Sequence, residues 1–167
     1  FVCQTFKPQT INPLIYSMIL QKKESYQDLI GLRQCIEFGT LQVIMEQGLN
    51  PEDGENLRQI ATSIERELDE PNPDPKMICR TDIAFHDAIA KATRNDLIVT
   101  VNEMLSKLTY GSRIRTIEQC IREQDRKYLV DIHFEILKIL EERDTDAIAH
   151  TLKRSYSYWA NLQMEEE

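Results

Sequence analysis

The chain has 167 residues, of which 41% are hydrophobic and 29% are charged, a balance typical of a globular domain. Its formal net charge of −8 argues against nucleic-acid binding through a basic surface of this segment. The 5 glycines are few for the tight turns of an all-β fold. No apolar run approaches the ~20 residues that a membrane span needs, so we expect no membrane association.

The cysteines Cys3, Cys35, Cys79 and Cys120 are scattered and form no CxxC pair. This pattern is typical of reduced cysteines inside a cell, and we expect a cytoplasmic protein without a cysteine metal site.

The first residues do not resemble the rest of the chain. Residues 1–12 alternate apolar and polar side chains before prolines interrupt them, which predicts the end of a strand followed by a linker. Residues 13–20 predict a short helix. We therefore divide the chain into a remnant, 1–12, and a helical domain, 13–167.

Helical periodicity dominates the remaining sequence. The apolar spacing predicts a long helix over 25–47 with Gly48 at its C-terminus. Asn50 and Pro51 predict the start of a second helix, which runs to about Leu68. Four more helices are predicted over about 75–93, 95–116, 118 or 125–142, and 145–164, the last capped by Asp144. The fold class is an all-α antiparallel bundle of about six to seven helices with an internal ligand cavity.

Asp82, His86 and His133 are the most informative residues. Asp82 and His86 are four residues apart in TDIAFHDAIAKA, which places both side chains on one side of a helix. His133 lies on the apolar face of a later helix, in YLVDIHFEILKIL. A carboxylate and two imidazoles are ligands of the types that bind zinc or related divalent ions. Two other interpretations stay open: His133 is a hydrogen-bonded core residue, and Asp82 pairs with His86 on a solvated face.

Arg33 lies on a strongly apolar helix, with Glu37 one turn further on. It is either half of an Arg–Glu pair at the edge of the bundle or an interior guanidinium that binds a carboxylate ligand. Arg113 and Arg115 could add to such a site or could both be solvated. The aromatic cluster Tyr156, Tyr158 and Trp159 indicates core packing or a partner surface.

The order of elements resembles the C-terminal, effector-binding domain of GntR-type transcription regulators of the FadR subfamily. The matching stretches are LRQCIEFGTLQVI, DIAFHDAIAKATRND, IHFEILKIL and RDTDAIAHTLKRSYSYW, which cover about residues 29 to 160. The most specific part is the D-x-x-x-H segment followed by A-x-x-x-N. The resemblance implies that Asp82, His86 and His133 bind a divalent metal (zinc, nickel or manganese), and that the metal helps to hold a small carboxylate effector.

The final helix departs from this family pattern. The position at which the family usually has a fourth ligand, a histidine, is Ser155 in this chain. Its helical stripe faces the predicted cavity, but a hydroxyl is a weaker ligand than an imidazole. His150 is five residues earlier, about 140° away around the helix axis, and cannot easily replace it.

The resemblance also implies the function. We expect the sensing domain of a transcription regulator, not an enzyme, in which Arg33 neutralises the effector's carboxylate. A homodimer would bind DNA through winged-helix domains absent from this chain, of which residues 1–12 would be the remnant. Effector binding would change the geometry of the dimer. The alternatives are a metal-dependent hydrolase, in which Glu37 is the one evident general base, and a metal-free helical interaction module.

Overall fold

Seven α-helices and no strand run through the part of the chain that the computed structural model describes, residues 25–157. The all-α fold class is therefore confirmed. In chain order the helices are α1 (Ser25–Gln47), α2 (Pro51–Asp69), α3 (Pro75–Ala92), α4 (Asp96–Leu108), α5 (Tyr110–Arg122), α6 (Arg126–Glu142) and α7 (Ala147–Ser155).

Side-chain caps start three of these helices where the sequence places them. The Asn50 side chain accepts a hydrogen bond from the Glu52 amide at 2.9 Å, and Asp74 accepts one from the Lys76 amide at 2.9 Å. Asn95 caps α4 by accepting from the Leu97 amide at 3.0 Å. Each cap satisfies an N–H group that lacks a partner in the first helical turn. The predicted starts of α2 and α4 are therefore confirmed.

The prediction of a single helix over 95–116 was wrong, because the helix is interrupted at Thr109. Helix α4 ends at Leu108 and α5 begins at Tyr110, so Thr109 lies between them. The Thr109 hydroxyl donates to the Leu105 carbonyl at 2.8 Å, and the Thr109 amide donates to the same oxygen at 2.9 Å. Such a bond from a threonine to the carbonyl one turn earlier bends helices slightly, but it does not by itself end a helix, since Thr40 makes the same bond inside α1.

The last helix also begins later than the sequence predicts. Helix α7 starts at Ala147, two residues after the expected Thr145. Asp144 still contributes as expected, since its Oδ1 accepts from the Ala147 amide at 3.1 Å. The alternative start at Asp125 for the preceding helix is confirmed, because α6 begins at Arg126.

Helices α3 and α6 hold the centre of the bundle. Helix α3 packs against α1, α2, α4 and α5, and α6 packs against α1, α2, α5 and α7. The apolar core between them is led by fully buried side chains: Leu41, Ile44, Leu57, Ile64, Leu68, Ile78, Phe85, Ile136, Leu137, Leu140 and Ile148. Because Asp82 and His86 are on α3 and His133 is on α6, the core packing also sets the spacing of these three residues.

Several predictions fall outside the described residues: the remnant at 1–12, the short helix at 13–20, and Tyr158 and Trp159. Within the described part, no helix is both long enough and apolar enough to cross a membrane.

Candidate metal and effector site

Asp82, His86 and His133 converge on one point inside the bundle. One potential ligand atom from each side chain lies within 4.8 Å of the other two. The Nε2 atom of His133 is 3.1 Å from Oδ1 of Asp82, and Nε2 of His86 is 3.8 Å from the same oxygen. The side chains are 4%, 10% and 14% exposed for His133, His86 and Asp82. The interpretation of Asp82 and His86 as a pair on a solvated face was therefore wrong.

The hydrogen bonds of His133 decide which of its nitrogens is available. Its Nδ1 atom lies 2.6 Å from the Leu129 carbonyl, and a carbonyl only accepts, so Nδ1 carries a proton and donates. In the neutral ring, Nε2 then presents a lone pair to Asp82, whose carboxylate also only accepts. Two acceptors 3.1 Å apart require a proton or a metal cation between them.

The hydrogen bonds of His86 indicate the same tautomer, with the proton on Nδ1. Its Nδ1 atom is 3.2 Å from Oε1 of Glu37, and its Nε2 atom is 3.2 Å from Nη2 of Arg33. Because an arginine only donates, Nε2 is the acceptor and the Nδ1–H donates to Glu37. Burial lowers the pKa of His86 to about 3, and the carboxylates of Glu37 and Asp82 only partly offset this effect. The ring is therefore neutral near pH 7.

Arg33, Glu37 and Tyr156 form a second buried group beside His86. Arg33 Nε donates to Glu37 Oε1 at 2.7 Å, and the Tyr156 hydroxyl donates to Oε2 of the same carboxylate at 2.5 Å. Burial alone would raise the pKa of Glu37, but Arg33 together with smaller contributions from its other neighbours outweighs burial, and the pKa falls to about 2. The Arg33–Glu37 pair therefore exists, but it lies in the interior and not at the edge of the bundle.

The sequence did not decide whether Arg113 and Arg115 belong to the site or are solvated. In the structure the two arginines differ. Arg113 is buried and donates to Oδ2 of Asp82 and to the Thr109 hydroxyl, whereas Arg115 is exposed. Burial would raise the pKa of Asp82, but Arg113 and the two histidines together hold it well below its usual range. A sequence signal was available, because Arg113 shares a helical stripe with the buried residues Thr116, Ile117 and Cys120.

The formal charges of the two arginines and the two acids in this buried cluster cancel, apart from the proton or cation that the His133–Asp82 contact requires. The two guanidinium groups of Arg33 and Arg113 face the two carboxylates of Glu37 and Asp82, and the imidazole of His86 is neutral. A divalent cation at the three ligands would leave an excess of positive charge. Buried charges need partners, so such a site would favour an anionic ligand.

A cavity of about 50 Å³ adjoins these groups. Its polar lining comes from Arg33, Asp82, His86, Arg113, Thr116, Tyr128, His133, Ser155 and Tyr156, and its apolar lining from Ile117, Leu129, Ile132 and Ile136. Ser155 thus lines the cavity, and its hydroxyl donates to the Leu152 carbonyl at 2.9 Å. His150 is exposed, as its helical position predicts.

A charged cavity between the helices of a bundle is a place where such folds bind small ligands. The chain matches the FCD domain over residues 28–157 and belongs to the FCD-domain family. It is therefore a sensing domain of the C-terminal type found in GntR-family transcription regulators. The families that carry this domain are regulators and not enzymes. Searches of curated proteins and of solved structures each found no match.

Proposed function

We propose that this chain is the sensing domain of a FadR-subfamily regulator, and that it binds a divalent metal and a small carboxylate effector. Asp82, His86 and His133 are the metal ligands, and Arg33 binds the effector's carboxylate. The observation that carries the proposal is the shared orientation of the two histidines. In both rings Nδ1 donates to a protein oxygen, and Nε2 presents its lone pair on the side of Asp82.

This orientation is the one that a metal site requires. Metal-binding histidines almost always donate their second ring N–H to a carboxylate or a backbone carbonyl, which fixes the tautomer and makes the ligand more basic. Glu37 has this role for His86, and the Leu129 carbonyl has it for His133. Zinc, nickel and manganese all accept nitrogen and carboxylate ligands, so the ligand set does not select among them.

The open coordination positions support an effector that reaches the metal. Ser155 occupies the position of the family's fourth ligand, and its hydroxyl is engaged by the Leu152 carbonyl. Three protein ligands leave room for water or for an effector oxygen. A carboxylate would also neutralise the excess positive charge, and the planar guanidinium of Arg33 matches its geometry.

Metal binding would also change the contacts of Arg33. The Nη2 atom of Arg33 donates to the His86 nitrogen whose lone pair a metal would take. This contact therefore breaks when the three ligands close around a cation, and Nη2 becomes able to donate to an effector oxygen. The metal and the effector would then bind cooperatively through Arg33 and His86.

The same proposal includes a cytoplasmic homodimer that carries winged-helix DNA-binding domains. Arg33 on α1 and Tyr156 at the end of α7 both contact Glu37, so an effector at Arg33 acts on both helices. Effector binding would shift the population between two dimer geometries, only one of which matches the two operator half-sites.

An outward face of α1 is the proposed contact between the two copies. It carries Gly31, Cys35 and Gly39 at one-turn intervals, flanked by the exposed Leu32 and Phe38. No described atom lies within 4 Å of a Cβ built at either glycine, so packing inside the described residues does not explain these helix-weakening residues.

The spacing on this face suits a second copy of the same helix. Gly31 and Gly39, and likewise Leu32 and Phe38, are equidistant in sequence from Cys35. An antiparallel crossing at Cys35 would place Gly31 against the partner's Gly39 and Leu32 against the partner's Phe38. Such self-complementarity is the requirement of a two-fold interface.

Metal analysis combined with thermal unfolding tests the metal assignment. Purified protein should contain one divalent metal per chain, and zinc, nickel or manganese added after chelation should raise its melting temperature. His133→Ala should abolish that rise, whereas His150→Ala, a change at the exposed histidine, should preserve it. No bound metal and no thermal shift would instead indicate a plain helical module. Turnover of a carboxylic acid in proportion to metal content would indicate a hydrolase.

A further inference from the structure

The two carboxylate oxygens of Asp82 have different partners. Oδ2 accepts a hydrogen bond from Nη1 of Arg113, whereas Oδ1 lies 3.1 Å from Nε2 of His133 and 3.8 Å from Nε2 of His86. The Arg113 side chain is 4% exposed, so solvent does little to screen this ion pair. Asp82 can therefore present one oxygen to a metal while an internal cation keeps the other.

Arginines contact two of the three proposed metal ligands. Besides the Arg113–Asp82 pair, Nη2 of Arg33 donates to Nε2 of His86 at 3.2 Å. A buried polar or charged group is costly when it lacks a partner. The two guanidinium groups supply such partners to Asp82 and His86, so the fold does not depend on a metal to satisfy these side chains.

A second contact holds Arg113 in place. Its Nε atom donates to the Thr109 hydroxyl at 3.3 Å, and that hydroxyl donates in turn to the Leu105 carbonyl at 2.8 Å. Arg113 is on α5 and Asp82 is on α3, and these two helices pack against each other. A metal at Oδ1 of Asp82 would therefore lie one carboxylate group away from a fixed positive charge. Like charges repel strongly where little water screens them.

We infer that Arg113 is a built-in competitor of the metal, which neutralises Asp82 in the metal-free protein and keeps a bound metal exchangeable. The metal is then a ligand that this domain senses, and not a permanent part of its fold. Ser155 favours the same result, because its hydroxyl bonds the Leu152 carbonyl and the site has three protein ligands instead of four. This inference rests on the proposed function, in which Asp82 and the two histidines bind the metal.

Removal of the Arg113 charge has two opposite effects on metal affinity, and their sizes decide the outcome. Asp82 loses the partner that orients it, and the loss of such a partner typically lowers metal affinity about 10- to 100-fold. The metal, however, loses a positive neighbour. At an effective dielectric constant of about 20, a unit charge roughly 6 Å from a divalent ion changes the affinity by more than about 1000-fold. The repulsion outweighs the loss of orientation, so metal affinity should rise.

Calorimetric titration with zinc tests the inference. Arg113→Gln removes the charge and should bind zinc at least about 10-fold more tightly than wild type, and a chelator should remove its zinc more slowly. Arg113→Lys keeps the charge and should show no such gain. Arg115→Gln removes an exposed arginine two residues later on the same helix and should leave the affinity unchanged.

Thermal unfolding after chelation provides a second measurement. The wild type should stay folded, because its two guanidinium groups replace the metal as partners of Asp82 and His86. Arg113→Gln should melt at a lower temperature than wild type or fold only with zinc, and zinc should raise its melting temperature by more. Either result would show that Arg113 takes the place of the metal in the metal-free protein.

Three outcomes would overturn the inference, and they differ in what else they affect. Zinc binding by Arg113→Gln that is no tighter than in wild type would show that Arg113 only orients Asp82. A wild type that unfolds on chelation would make the metal a structural element. In both cases the metal site itself stands. If neither wild type nor Arg113→Gln binds zinc, the metal part of the proposed function fails as well.

Discussion

The Nη2 atom of Arg33 lies 3.2 Å from the Nε2 atom of His86 and donates a hydrogen bond to it. The residue expected to bind the effector thus contacts a residue expected to bind the metal. The same guanidinium donates to Glu37 through Nε, so Arg33 joins the two halves of the site. Removal of one member of this buried network would leave another charge buried without its partner.

The first prediction concerns that network. Arg33→Gln leaves the Glu37 carboxylate buried without its cation and should lower the free energy of unfolding by roughly 3 kcal/mol. The exposed pair Arg58–Glu141 is the control, with side chains 48% and 40% exposed. Arg58→Gln should cost less than about 1 kcal/mol, because solvent screens this pair. Urea unfolding measures both changes, and equal losses would contradict a special role for the buried pair.

The second prediction concerns the fourth coordination position. Ser155→His introduces an imidazole into the cavity wall beside the three proposed ligands and should raise zinc affinity at least about 10-fold. Ser157→His adds the same group at an exposed position two residues later and should leave the affinity unchanged. Competition with a zinc-binding dye measures the difference. An affinity no higher in Ser155→His than in wild type would place the metal elsewhere.

The third prediction concerns the pH dependence of the metal-free protein. In the folded state burial lowers the pKa of His86 from 6.5 to about 3. Between these pH values the unfolded chain binds a proton that the folded chain does not bind. His86 therefore adds stability above about pH 6.5, and this stability declines as the pH falls, by at most about 1.4 kcal/mol per pH unit.

Unfolding curves in the presence of a chelator, between pH 7 and 4.5, measure this slope. His86→Asn should make the slope shallower, whereas His150→Asn should not change it. Below pH 4.5 the slope should steepen, because the pKa of Glu37 is lowered from 4.5 to about 2 and its stabilising charge is lost there. A slope that is the same in wild type and His86→Asn would show that His86 is not held neutral.

The fourth prediction concerns the outward face of α1. Gly39→Arg places a long charged side chain where no described atom lies within 4 Å, so the subunit itself should remain folded. If two copies cross at Cys35, this change should weaken the dimer by at least about 10-fold, since it inserts bulk and charge into the contact. Sedimentation at several concentrations measures the association.

A matched control exists on another helix. A Cβ at Gly111, which is on α5, would also meet no described atom within 4 Å, so Gly111→Arg should leave association unchanged. Oxidation of a wild-type dimer should also crosslink Cys35 to its copy in the partner subunit. Unaltered association of Gly39→Arg would exclude this face of α1 as the dimer contact.

Local patterns in the sequence predicted several residues of the proposed site. The four-residue spacing of Asp82 and His86 indicated that both share a helix face, and the apolar stripe of α6 indicated that His133 points inward. Arg113 was left undecided, because a buried guanidinium needs an anionic partner and the sequence did not pair it with Asp82. The interruption of the helix at Thr109 is likewise not visible in hydrophobic periodicity.

The sequence by itself determined the helical fold class, most helix starts and the inward-facing chemical groups, because caps and periodicity act within a few residues. Only the tertiary structure decided which groups meet. His133 reaches Asp82 across 51 residues, and Tyr156 reaches Glu37 across 119. These contacts follow from how helices pack around a shared core, and no local spacing specifies that packing. The same packing directs the Nε2 atoms of both histidines to the side of Asp82.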